Sequence, residues 1–244
     1  MKTFERLLKI KRERGAGYLI LIDPDKIDHQ KLPAFVREST EAGADGFLVG
    51  GSLMSTDGFN DVLHMIKSNT SLPVVIFPGS LFQVSSIADA ILFLVLISGR
   101  NPEYLIGQHV HASLAIDRSG MEVIPTGYIL TGGGGNISST QYITQTLPIP
   151  DDKHELVLAT ALAGIQLGME LIYLEAGSGT DHPLSSSLVK TVSTKIRKPL
   201  LVGGGISEIN TVRSFKKSGA SILIIGNFLE KNIGFIDDLN KFFK

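Results

Sequence analysis

Short, almost uninterrupted apolar runs alternate with amphipathic stretches from one end of the chain to the other. Runs of the first kind lie at residues 18–22, 47–49, 73–77, 90–97, 171–174, 200–202 and 222–225. An eighth lies within 122–130, where Pro125 and Gly127 interrupt the pattern. Apolar through their length, they read as strands covered on both faces, the habit of a parallel sheet. Helical patterns occupy 1–14, 31–42, 59–67, part of 101–116, 151–167, 184–195, 209–217 and 237–243. Asp151 and Asp152 are expected to open the helix that follows them, favourably placed at its positive end. Only about a dozen residues separate the third and fourth strands, tight for a helix with two loops, so an irregular or shortened third helix is expected.

A repeat sharpens the topology. Residues 41–51 and 217–227 share a helix-ending glycine, a short strand and a loop glycine seven residues after the first, Gly43 with Gly50 and Gly219 with Gly226. Gly168 opens the same frame, and seven residues on stands a carboxylate, Glu175. Eight strands alternating with about as many helices in 244 residues, without a linker or composition break, predict α/β architecture as one (βα)8 TIM barrel domain over residues 1–244. A doubly wound open sheet is the alternative. In a barrel the strand ends converge on one face, so Glu175 would point at whatever the glycine loops hold.

Composition narrows the chemistry. Basic and acidic residues, 23 and 24, are evenly mixed and leave a net charge of −1, which gives nucleic acid no electrostatic footing. The absence of cysteine excludes a disulfide framework and thiolate chemistry, and makes the reducing cytoplasm the expected compartment. The longest apolar run, 90–97, falls far short of the roughly 20 residues that span a bilayer. The basic, amphipathic N-terminus lacks the apolar core and cleavage site of a secretory signal. A mean hydropathy of +0.20 fits a large core or a greasy ligand groove, which leaves peripheral membrane contact open.

The loops carry the candidate chemistry. Gly203-Gly204-Gly205 follows strand seven and Gly226-Asn227 follows strand eight, the pair that often cradles phosphate in this fold through backbone N–H groups and helix N-termini. The competing reading is glycine needed only for tight turns. In Tyr173-Leu174-Glu175-Ala176-Gly177-Ser178-Gly179 a strand runs into a carboxylate and then a glycine loop open to an anion. Read blandly, it is a strand ending in a turn with a solvated Glu. Asp23 and Asp25 end the first strand and Ser52 the second, hard oxygen ligands suited to Mg²⁺ bridging a phosphate or diphosphate. Asp-Pro-Asp is also an ordinary turn sequence.

Other features read as structure. Residues 131–136 lack the Gly-Lys-Ser/Thr ending of a nucleotide loop, and 131–150 is long enough to be a lid. His109 and His111 would share a face on a strand, with no third ligand spaced to complete a metal site. Asp151-Asp152 is not the aspartate-rich cluster of isoprenoid chain elongation, because no third Asp follows at the needed spacing.

Taken together and in order, 21–26, 49–52, 173–179, 202–206 and 226–227 resemble the geranylgeranylglyceryl phosphate synthase family, which includes the bacterial heptaprenylglyceryl phosphate synthases. The likeness covers nearly the whole chain. It implies a prenyltransferase that joins sn-glycerol 1-phosphate to a polyprenyl diphosphate, geranylgeranyl above all, forming an ether and releasing diphosphate with Mg²⁺. By matching motifs, Asp23 and Ser52 would be the metal positions. Tyr173, Leu174, Glu175, Ala176, Gly177, Ser178, Gly179, Gly204, Gly205, Gly226 and Asn227 would hold glycerol 1-phosphate. The heptaprenyl branch has Lys two residues before the matched Asp23; Leu21 and Asp25 place this chain with the archaeal-type branch. Asp23, assisted by Asp25, would then help the diphosphate leave, and Glu175 would accept or orient the attacking hydroxyl. The 131–150 loop is the expected cover, with apolar side chains along one side of the barrel lining the prenyl groove. A homo-oligomer is the expected assembly, an apolar helix face serving a subunit contact or the core equally well. A sugar-phosphate isomerase or cyclase, or a non-catalytic phosphate-binding module, would use the same glycine cradle.

Overall fold

The eight apolar runs form eight strands in the computed structural model, which describes the chain apart from residues 56, 133–136, 178, 227, 228, 230, 231, 233 and 244. These are β1 (Gly17–Ile22), β2 (Phe47–Val49), β3 (Val74–Ile76), β4 (Ala90–Leu96), β5 (Glu122–Leu130), β6 (Leu171–Glu175), β7 (Leu200–Gly203) and β8 (Ile222–Ile225). Each pairs in parallel with its neighbours in chain order. The β8–β1 ladder, from Gly17 opposite Ile222 to Ile20 opposite Ile225, closes the barrel.

The helices are α1 (Thr3–Arg14), α2 (Leu32–Glu41), α3 (Phe59–Lys67), α4 (Gln108–Ser119), α5 (Ser139–Thr144), α6 (His154–Gln166), α7 (Ser186–Ser193), α8 (Ile209–Lys217) and α9 (Gly234–Phe243). A π-helical turn, Glu103–Gly107, leads into α4. None of the described helices is long and apolar enough to cross a membrane.

Alternation along the strands splits their side chains between two cores. Leu19, Leu48, Val75, Leu92, Ile124, Leu171, Tyr173, Leu201 and Ile224 fill the barrel. Ile20, Val49, Ile76, Ile172, Leu174, Val202 and Ile225 face the helices. Both sides being dry explains why the runs are apolar throughout.

α1 stoppers the N-terminal end of the barrel, adding Leu7 and Ile10 to the inner core. Its first turn is tied down by Glu122, whose carboxylate accepts the Thr3 N–H at 2.6 Å. Further along, Lys11 donates to the Gly219 and Ala220 carbonyls at 3.0 Å each. Arg14 pairs with Asp45, which also accepts the Tyr18 N–H at 2.9 Å.

Four expectations need correction. No helix, shortened or irregular, fills the interval between β3 and β4, where residues 77–89 run through turns. Pro78 and Gly79 disfavour a helix there, and the fully buried Gln83 organises the span instead: its Oε1 accepts the Gly79 N–H at 3.0 Å and its Nε2 donates to the Gly51 carbonyl at 2.8 Å.

β5 runs unbroken through Pro125 and Gly127. The Pro125 carbonyl accepts from Glu170, so its missing N–H lies on the β6 side, where the β5–β6 ladder begins only at Thr126. Gly127 permits close packing: a methyl there would meet Ile172 Cδ1 at 2.8 Å and Ile97 Cδ1 at 2.9 Å.

Residues 151 and 152 form a turn ahead of α6 rather than its first residues. The Lys153 N–H closes that turn on the Pro150 carbonyl at 3.0 Å, and Asp151 accepts the Ser185 N–H at 3.2 Å. His109 and His111 lie on α4, not on a strand, because the π-helical turn starts the helical segment just before them.

Removing the Glu122 carboxylate strips the α1 N-terminus of its acceptor. Glu122→Ala is expected to cost about 1 kcal/mol, a fall of roughly 2–4 °C in melting temperature for a domain this size. Activity should be unchanged, since the barrel mouth lies at the opposite end. Calorimetry beside an activity assay checks both, and an unshifted melting temperature would contradict the capping role.

Candidate active site

Glu175 is the last residue of β6 and sits two places after Tyr173, so alternation turns both side chains into the barrel and Leu174 out towards the helices. The strand end is pinned on both edges. The Glu175 carbonyl accepts the Thr131 N–H at 3.0 Å, and the Ala176 N–H donates to the Gly203 carbonyl at 3.0 Å. The carboxylate is thereby held at the C-terminal mouth, only 7% exposed.

Burial pushes the Glu175 carboxyl above its ordinary value, opposed by the Tyr173 hydroxyl and by the Gly177 N–H, which donates to Oε1 at 3.0 Å. The Tyr173 hydroxyl is itself buried and, among the described residues, completes no hydrogen bond of full geometry, though it lies near enough to the carboxylate to exert that pull. Loss of solvation, with the carboxylate nearby, pushes the Tyr128 and Tyr173 phenols far up, so both stay neutral.

The β7 loop comes closer to Glu175 than any side chain would allow. A methyl on Gly203 would stand 2.4 Å from the Tyr173 hydroxyl oxygen and 2.9 Å from Glu175 Oε2. Gly204, at φ +88°, adopts a conformation that other residues rarely take, and a methyl there would meet Glu175 Oε1 at 2.8 Å. Glycine is thus required in this loop by crowding and backbone geometry together.

Across the mouth, Asp23 follows β1 and is buried. Its Oδ1 accepts the Asp25 N–H at 3.2 Å, and its Oδ2 pairs with the Lys26 ammonium. Asp25 Oδ2 accepts the Ser55 N–H at 2.5 Å. The Asp23 carboxylate lies against the turn after β2, where a methyl on Gly51 would stand 2.9 Å from Oδ1. The next residue, Ser52, shares a hydrogen bond with Thr140 of α5 at 2.8 Å. α5, fixed by a capping box between Ser138 and Gln141, therefore lies over the mouth and is latched there.

These groups share one cavity of about 700 Å³, lined by Asp23, Asp25, Lys26, Ser52, Tyr173, Glu175, Gly177, Gly179, Gly204, Gly205 and Gly226 among others. Leu174 points away into the outer core, and Ala176 packs beside Gly204. Ser178 and Asn227 lie outside the described residues. Among the described residues no three His, Cys, Asp or Glu side chains gather as a metal cage. One carboxylate that already holds a cation, with a hydroxyl close to the same turn, instead suits Mg²⁺ completed by water and phosphate oxygens.

A second, apolar cavity opens beside the first, under the span where a helix is lacking. Leu81, Val84, Ile91, Phe93, Leu96, Tyr104, His109, Ala112 and Ile116 line it, and Gly51, Ser52, Phe77, Tyr128 and Thr140 line both cavities. The sequence hinted at a greasy groove through its mean hydropathy, and the short interval between strands three and four lies where the cavity opens. His109 Nε2 bonds the Leu94 carbonyl at 2.6 Å, the ring lies edge-on to Phe93 at 4.6 Å, and burial lowers its pKa. It behaves as a neutral wall residue, donating through Nε2. His111 is exposed.

Comparison with known proteins gives concordant matches. The model of the PcrB family matches residues 8–243. A geranylgeranylglyceryl phosphate synthase of Chitinophaga pinensis is 40% identical over 98% of this chain and 94% of its own length. That of Korarchaeum cryptofilum is 36% identical over 95% and 93%. Among solved structures, (S)-3-O-geranylgeranylglyceryl phosphate synthase from Thermoplasma acidophilum, in complex with substrate sn-glycerol-1-phosphate, superposes with a TM-score of 0.91. It is 30% identical, with 98% of this chain and 96% of that one covered.

A carboxyl whose pKa is raised by folding binds its proton more tightly folded than unfolded. Stability is therefore lost as pH rises from the ordinary value of 4.5 through the folded value, and the loss is complete above it. Glu175→Gln keeps an acceptor for the Gly177 N–H without the charge. At about pH 8 it should melt a few degrees above wild type, with the gap closing as the pH falls to about 4. A gap of equal size at both pH values, read by thermal denaturation, would contradict the buried-charge account.

Proposed function

The chain belongs to the PcrB family, and we propose that it is a prenyltransferase joining sn-glycerol 1-phosphate to geranylgeranyl diphosphate through an ether bond, with release of diphosphate. The observation that carries this reading is the pair of contiguous cavities, one polar and bordered by glycine loops and carboxylates, the other apolar, meeting at Phe77 and Tyr128. An isomerase or cyclase acting on one small sugar phosphate has no use for the apolar cavity.

In this reading the loops at Gly177–Gly179, Gly204–Gly205 and Gly226 hold the phosphate of glycerol 1-phosphate, as Tyr173 and Glu175 hold its glycerol end. Ser178 and Asn227 complete that set by sequence. Asp23 and Ser52 are the residues that would hold Mg²⁺, which when bound neutralises the leaving diphosphate. Glu175 lies in the cavity on the far side from Asp23, and its raised pKa brings a carboxylate towards the basicity a hydroxyl proton requires. As the C1–O bond to diphosphate breaks, the glycerol 3-hydroxyl oxygen attacks C1 and its proton passes to Glu175. α5 shields the junction from water through the Ser52–Thr140 latch. A reducing cytoplasm suits a chain without cysteine. A homo-oligomer built on the exposed face of α4 that carries Val110 and Leu114 would bury that apolar surface. Light scattering on the purified protein tests the assembly, a monomer at micromolar concentration counting against it.

Incubation with radiolabelled glycerol 1-phosphate, geranylgeranyl diphosphate and Mg²⁺ should carry label into butanol. A chelator should stop the transfer and added Mg²⁺ restore it. Glu175→Ala should lower turnover by about a hundredfold or more. Label that stays in the aqueous phase with every prenyl chain length tried would refute the reading.

A further inference from the structure

Three rings meet where the two cavities join. Phe77 and Tyr128 lie 5.8 Å apart, edge to face at 75°, and each also touches Tyr173, at 5.5 Å and 5.2 Å. Phe77 follows β3 and is only partly buried; Tyr128 lies within β5 at the barrel centre and keeps a sliver of exposure. Both line the polar and the apolar cavity alike, whereas Tyr173 and Glu175 border the polar one alone.

This placement, on the prenyltransferase reading above, fixes where the bond changes. The hydrocarbon belongs in the apolar cavity and the diphosphate in the polar one, so the allylic C1 between them must cross the junction, beside Phe77 and Tyr128. As the C1–O bond breaks, its electron pair leaves with the diphosphate, and C1 to C3 of the chain become electron-poor. The glycerol oxygen then supplies the new pair, and its proton leaves to Glu175.

Glu175 lies on the polar side, close enough to raise the Tyr128 phenol, and of the described carboxylates neither it nor Asp23 reaches the apolar cavity, which the two rings do. An aromatic face stabilises positive charge through its quadrupole without offering a nucleophile that would trap it, unlike water or a carboxylate. Desolvation strengthens the effect, and Tyr128 stays a neutral phenol, so it also lacks the oxyanion that would attack. We propose that Phe77 and Tyr128 are catalytic residues whose ring faces stabilise the allylic cation at the mouth of the apolar cavity.

Simple packing of the barrel core predicts different behaviour from charge stabilisation, and a graded electronic series separates them. Phe77 is replaced by mono-, di- and trifluorophenylalanine, which hold the shape of the ring while draining its face of electron density. Single-turnover rates with saturating geranylgeranyl diphosphate should fall stepwise, by about tenfold across the series, with the KM for that substrate nearly constant. Tyr128→Phe keeps a ring and should retain most of the rate, whereas Tyr128→Leu should lose about tenfold or more. Melting temperatures across the fluorinated series should match wild type, so the readout survives even if the leucine variant fails to fold. A flat rate across the fluorinated series in an enzyme whose wild type is active overturns this inference alone. A wild type without turnover on any prenyl diphosphate overturns the prenyltransferase reading, and this inference with it.

Discussion

A carboxylate held out of water at the end of a strand is the constraint around which the mouth of this barrel is organised. Glu175 loses solvation by burial and, among the described residues, receives the Gly177 N–H and the pull of the Tyr173 hydroxyl in return. It cannot relieve that cost by turning towards solvent, because its strand is bonded to Thr131 on one edge and its successor to Gly203 on the other. The neighbouring chain must then carry no side chain at Gly203 or Gly204, where a methyl would meet the carboxylate at under 3 Å. Strand pairing, glycine placement and the raised pKa are three aspects of one arrangement.

The second organising feature is a helix that is missing. In a regular barrel each strand is covered from outside by the helix that follows it. Between β3 and β4 the chain is too short for that, and the outer face there is left to α4 and to the turns organised by Gln83. The Gln83 amide bonds both Gly51 and Gly79, tying the loops after β2 and β3 together. The space that the helix would have filled is the apolar cavity. An apolar cavity stands where a covering element would, and a buried side-chain amide ties the loops at its rim.

The fold was legible because both faces of every strand are dry, so the apolar runs stood out and their number and spacing pointed to a closed barrel. The glycine frame picked out Glu175, since a carboxylate stands where two other units put glycine, and the same loops meet Asp23 and Ser52 in one cavity. Periodicity could not see Gln83, α5 or the π-helical turn. A lone glutamine in a turn has no pattern, and a six-residue helix inside a long glycine-rich loop is decided by its capping box and by docking on Ser52. The helix expected from Asp151 is present but starts three residues later, at His154, for a similar reason: Asp151 has a better use as acceptor for Ser185, on a segment distant in sequence. Contacts made across the fold decide such cases, and local composition does not record them.

Ser52 joins the cover to the proposed metal position, and hydroxyl chemistry shows that the two roles agree. A serine hydroxyl has one proton to donate and two lone pairs to offer. Either hydroxyl can donate in the Ser52–Thr140 bond, and in the arrangement where Thr140 donates, Ser52 Oγ would keep a lone pair for a cation held beside Asp23, so that α5 would not need to lift for the cation to bind. The lone pair given to a cation would polarise Ser52, but its acceptance from Thr140 uses the other. On the prenyltransferase reading, closure over the junction and charge neutralisation at the diphosphate would then reinforce each other through one oxygen atom. On that reading water would be kept from C1 at the stage when an electron-poor carbon would otherwise be captured by it, and the glycerol hydroxyl beside Glu175 would be left as the nucleophile within reach.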